Sequence, residues 1–183
     1  LKLGDDFAQG LVRRTALVQL SPEGDDVVVQ TRQGRAKADA MQSSASGAFA
    51  AIATAPKAKI VVSASSNFVL AFNTNDGTYG QSPDRWWCCA QSNQADWTPA
   101  VSTLCTTGRL VAVEGALQAA LTLGDYVVAY KQRAIFVGIF VGSPVVWQWN
   151  LIPGGEAGCV GQEAVCDIGG AHFIVSNDNF WLF

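Results

Sequence analysis

The stretch from Leu123 to Pro153, LGDYVVAYKQRAIFVGIFVGSPVVWQWNLIP, constrains the fold most. It reads as three short strands in series, Asp125 to Gln132, Ala134 to Gly142 and Val145 to Ile152, rich in Val, Ile, Phe, Tyr and Trp. Lys-Gln-Arg and Gly-Ser-Pro punctuate them. In the middle strand Ile135, Val137, Ile139 and Val141 share one face, while Ala134, Phe136, Gly138, Phe140 and Gly142 share the other. Both faces are apolar. A strand with no wet face belongs between layers, as in a sandwich or in the stacked blades of a propeller.

A chain of 183 residues is long enough for one sizeable domain or one and a half small ones. With 49% apolar and only 15% charged residues it excludes disorder and leaves little charge for a monomer's surface, a pattern suited to an assembly. The net charge of −3 creates no global basic field for nucleic acid. Residues 1 to 59 hold eight Lys/Arg against six Asp/Glu, and residues 60 to 183 hold four against nine. The five cysteines, Cys88, Cys89, Cys105, Cys159 and Cys166, are odd in number and show no C-x-x-C spacing. That pattern favours buried thiols over a disulfide framework and a protein assembled in a reducing compartment. The N-terminal LKLGDDFAQG lacks the apolar core of a signal peptide, and no uncharged apolar run approaches the ~20 residues that span a bilayer.

In chain order, Thr15 to Leu20 and Val27 to Thr31 predict a hairpin around Ser21-Pro22-Glu23-Gly24-Asp25. Ala36 to Lys59, built from Ala, Ser, Gly and Lys, reads as a connector with room for a helix around Ala36 to Ala53, weakened by Ser43, Ser44, Ser46 and Gly47. Residues 1 to 58 therefore form one region and residues 59 to 183 another. Strands are expected at Ile60 to Ala64, Asn67 to Asn73, Arg85 to Ala90, Gly108 to Val113, Leu117 to Leu123, Glu163 to Ile168, Ala171 to Ser176 and Asn179 to Phe183. Asn73 to Gly77 is a loop by composition. Three segments echo one another: SNFVLAFN from Ser66, GDYVVAYK from Gly124 and GAHFIVSN from Gly170, their starts 58 and 46 residues apart. Such spacing matches four short antiparallel strands per unit. The expected fold is all-β, with antiparallel blades of a partial β-propeller and a β-sandwich as competitor. Because the sequence stops within a strand at Phe183, the chain is expected to be part of a longer one.

Reactive chemistry finds little to build on. The single histidine, His172, lies between Ala171 and Phe173, where a packed imidazole is favoured over a catalytic or zinc-binding one. Asn73 to Gly77 and Asn177-Asp178-Asn179 lack the further carboxylates of a calcium loop and read as turns. Asp84, Asp96 and Asp125 show no spacing that marks a glycosidase pair. Trp86, Trp87, Trp97, Trp147, Trp149 and Trp181 could stack sugars but suit core packing better. Arg13, Arg14, Arg32, Arg35 and Lys37 form the one basic cluster, a solvated face or a contact for an acidic partner ahead of a DNA site. No catalytic, cofactor-binding or metal-binding residue is assigned.

Four segments carry a resemblance: NQADWTP from Asn93, GDYVVAYKQRAI from Gly124, VGSPVVWQW from Val141, and Cys159 through Phe183 with VCDIGG from Val165 and NFWLF from Asn179. In that order and spacing they resemble the β-propeller region of bacteriophage tail nozzle (tail tubular, or hub) proteins over Lys59 to Phe183. In that family the last motif usually runs on into Asp-Gly-Thr, which this chain lacks, and the first 58 residues match nothing in it. The resemblance implies a structural virion protein without catalytic residues or cofactor, assembled in the host cytoplasm. It further implies a homo-oligomeric, hexameric ring below the portal and adaptor, carrying tail fibres or spikes, with no membrane partner in the resting state. DNA would pass through such a ring without specific binding. The alternative from another class is a carbohydrate-binding or carbohydrate-active propeller.

Overall fold

The computed structural model describes residues 16–20, 27–31, 40–44, 50–153 and 156–183. The fold is all-β, a series of antiparallel sheets of short strands that form no closed barrel among the described residues. Sheet I consists of β1 (Ala16–Leu20), β2 (Val27–Thr31), β3 (Ala40–Ser44) and β4 (Ala50–Ala51). Sheet II follows with β5 (Lys57–Ala64), β6 (Phe68–Asp76), β7 (Gly80–Cys88) and β8 (Thr107–Arg109). Sheet III contains β9 (Leu117–Leu123), β10 (Tyr126–Lys131), β11 (Ala134–Gly142) and β12 (Val146–Leu151). Sheet IV has β13 (Val165–Asp167), β14 (His172–Val175) and β15 (Phe180–Leu182). Strand order equals chain order in every sheet, so each is a meander of local hairpins.

Three expectations need correction. The Ala/Ser-rich connector contains strands and no described helix: Ser43 and Ser44 of β3 stand opposite Val28 and Val27 of β2. A free edge on β2 offers the serine-rich backbone hydrogen bonds that override the helical preference of its alanines. Asn73 to Gly77 is also not a loop, because β6 runs through to Asp76 and pairs Asn75 with Gln81. Asn73 sits at a register shift with φ of 55°, a left-handed conformation that asparagine tolerates, so the strand bulges and continues. The turn lies one step later, where Asp76 Oδ1 accepts the Thr78 and Tyr79 N–H groups at 2.7 and 2.9 Å. The third correction concerns the strand expected at Gly108 to Val113. It shortens to β8, because Leu110 donates to Asp84 O and the chain then leaves the sheet.

The two apolar faces of β11 serve two cores. Ala134, Phe136 and half-buried Phe140 join Leu117, Ala129 and Trp147 against sheet II, where Ile60, Phe68, Phe72 and Trp86 are buried. Ile135 joins Val128 and Tyr130 against Val165 and Ile174 of sheet IV. The seam between sheets II and III is aromatic: Phe68 lies 5.2 Å from Phe140 and 5.8 Å from Trp147, and Trp149 lies 5.6 Å from both Phe72 and Trp86. Two glycines make room for that seam. A Cβ at Gly138 would come within 2.7 Å of the Trp149 ring, and one at Gly108 within 2.9 Å of Trp86 Nε1.

Candidate functional site

Most polar groups singled out in the sequence are committed to holding the sheets together. His172 is fully buried; its Nδ1 lies 2.6 Å from the Tyr130 hydroxyl and its Nε2 lies 2.9 Å from the Thr122 carbonyl oxygen. A carbonyl only accepts, so Nε2 carries the proton and Nδ1 accepts from Tyr130. Both ring nitrogens are thereby used in joining β14 to β9 and β10. Burial, reinforced by the neighbouring Cys159 sulfur, raises the Tyr130 hydroxyl's pKa.

The carboxylates do not converge. Asp84 is gripped bidentately by Arg109, at 2.9 and 2.7 Å. Partial burial pushes its pKa up, but the Arg109 hydrogen bond and charge outweigh that and hold it below the ordinary carboxylate value. Asp96 caps the Thr98 N–H, and the backbone oxygen of Asp125 accepts from Ser65. Among the described residues no group of three or more His, Cys, Asp or Glu could hold a metal ion. The basic set from Arg13 to Lys37 lies outside the described residues.

Four cysteines, Cys88, Cys89, Cys105 and Cys159, are buried free thiols, and Cys166 is exposed. Burial pushes Cys89 up to about 12 and Cys105 and Cys159 up to about 11, so these thiols stay protonated and inert at neutral pH. A thiol reagent applied to the native protein is expected to modify Cys166 alone. Urea should expose the other four, and mass spectrometry of the labelled peptides checks both.

Lys131 escaped the sequence reading. Lys-Gln-Arg passes as turn punctuation, yet Lys131 is 1% exposed and donates from Nζ to the Val113 carbonyl oxygen at 2.6 Å. Burial lowers its pKa, against the pull of Asp84. The signal was its place after five residues of an apolar strand, where a long stem can lie along the core. Its backbone oxygen takes the Cys159 N–H at 2.9 Å, tying the chain that leads into sheet IV.

Two surface features remain. A cleft of about 540 Å³ opens between residues 53–57, the β6–β7 turn and residues 97–99. Trp97 at its base is fully buried, so no open indole face lines it, and Thr54 Oγ1 is occupied by Ala95 O and the Trp97 N–H. The second feature is the outer face of sheet IV. Strand alternation places Cys166, Phe173, Val175, Phe180 and Leu182 together there. Phe180 is 65% and Leu182 68% exposed, and Phe173 stacks on Phe180 at 5.8 Å. No described residue covers this contiguous apolar face. No protein-family model matches the chain, and no curated protein is similar to it.

Proposed function

We propose that this chain is a structural virion protein of a phage tail. Sheets II, III and IV are successive blades of a partial β-propeller in a homo-oligomeric nozzle ring that conducts DNA and docks adaptor and fibre proteins. One observation carries the reading: consecutive four-stranded meanders stack face to face, and the apolar surface continues onto the outer face of the last sheet. That architecture supports a wall and a docking surface. Its polar side chains are spent on cross-links between sheets, as His172, Gln162 and Asn73 illustrate. A mildly acidic wall also suits a conduit, since basic walls bind phosphate by releasing counterions. The carbohydrate reading draws no support from the cleft, whose tryptophans turn no face outward. Particle imaging of the purified protein tests the proposal. Six-fold rings are the expected result, and particles that remain single copies at high concentration would refute it.

A further inference from the structure

β9 is the end strand of sheet III, and side chains take up its outward backbone groups. The tight turn that pairs Leu123 with Tyr126 fixes the alternation: Ala120 and Thr122 turn their N–H and C=O groups away from β10. The Gln162 amide meets Ala120 as a paired strand would. Its Oε1 accepts the Ala120 N–H at 3.0 Å, and its Nε2 donates to the Ala120 carbonyl oxygen at 3.2 Å. His172 Nε2 donates to the Thr122 carbonyl oxygen at 2.9 Å. Gln162 opens the short 3-10 turn before β13 and His172 opens β14, so sheet IV caps this edge.

The sequence of β9 explains why the edge needs a cap. β5, the end strand of sheet II, carries exposed Lys57 and Lys59, and charge on an end strand keeps a second one away. β9 reads LQAALTL, with no charge, proline or glycine, the composition of segments that pair with their own copies. Ala120 is its middle residue. Two such strands laid antiparallel about Ala120 set Ala120 against Ala120 and Gln118 against Thr122, so the outward groups of each face those of the other. The cap is also lightly held. Sheet IV buries Val165 and Ile174 in the second core, whereas an aromatic seam joins sheets II and III. The less anchored unit opens first.

We propose that sheet IV is a releasable cap on β9, and that β9 of a second copy of this chain pairs with the uncovered edge when the cap lifts. Release breaks the Gln162 and His172 bonds and the 2.9 Å bond from the Cys159 N–H to the Lys131 oxygen, and it uncovers the buried Cys159 thiol. The two Ala120 residues then exchange the backbone bonds that Gln162 had supplied. Such a pair uses the same strand on both copies and closes on itself.

Gln162→Leu keeps most of the side chain's bulk and removes both bonds to Ala120. In native buffer a thiol reagent should label Cys159 about tenfold faster than in the parent chain. Sedimentation should show mass above the parent's that grows with concentration. Adding Gln118→Lys puts a charge into the pairing edge, so labelling should stay fast while the mass returns to the parent's. Reading mass against the parent chain separates this pairing from ring formation, which both chains share. Three results would overturn the proposal: Cys159 labelling unchanged by Gln162→Leu, faster labelling without added mass, or added mass that survives Gln118→Lys. Loss of the native circular dichroism in Gln162→Leu would also overturn it, because Gln162 would then hold the whole fold and not a cap that lifts.

Discussion

Replacing Gly158 by alanine is expected to destabilise the protein by about 3 kcal/mol or more, beyond the usual overpacking loss. A Cβ at this position would run into the backbone oxygens of Lys131 and Gln132, closer than any real contact of its kind. A flexible side chain would step aside, but these atoms belong to the tight turn between β10 and β11. Separating them means breaking the 2.9 Å bond from the Cys159 N–H to the Lys131 oxygen and lifting the segment that delivers sheet IV onto sheet III. Damage should therefore concentrate at the second core. Cys159, protected in the native protein, should react with thiol reagents in Gly158→Ala at urea concentrations where Cys88 and Cys89 remain protected. If Gly158→Ala unfolds within about 0.5 kcal/mol of the parent chain, the close approach is not real.

How much of this could be read in advance depended on whether the cause was local. The two apolar faces of β11 announced a strand between layers, and the cores on either side are where that pattern requires them. The hairpins of sheets III and IV were legible because turn residues separate runs of β-branched and aromatic side chains. What stayed hidden depended on partners distant in sequence. Ser43 becomes strand because β2 lies beside it, and Lys131 is buried because the Val113 carbonyl comes to meet it. Gly138 looked like one small residue among many, and only the Trp149 ring across the sheet explains it. The committed state of His172 was foreshadowed by its apolar neighbours, but its two partners were not. The outer face of sheet IV was missed as a surface. Phe173, Phe180 and Leu182 look like core in a sequence, and only the count of strands and layers around them reveals that nothing in the described chain covers them.

Trp147→Ala should have the other large effect, a loss of about 3–5 kcal/mol by the measure of large-to-small changes at buried aromatic sites. Trp147 is 2% exposed and meets Phe68 of sheet II edge-on at 5.8 Å, Phe140 at 5.9 Å and Trp149 at 6.5 Å. Removing its ring opens the seam that makes sheets II and III one body, so unfolding monitored by tryptophan fluorescence and by far-UV circular dichroism should shift together. The side chain has a second property that separates size from polarity. Its buried indole nitrogen meets no acceptor among the described residues, so the ring is held by packing and carries an unpaired donor. Trp147→Phe keeps much of the aromatic contact and deletes that donor, and its loss should stay under about 1.5 kcal/mol. A phenylalanine variant as damaged as the alanine one would mean that the indole N–H has a partner and that the seam depends on a hydrogen bond. An alanine variant losing less than about 1 kcal/mol would instead mean that sheets II and III are held together elsewhere.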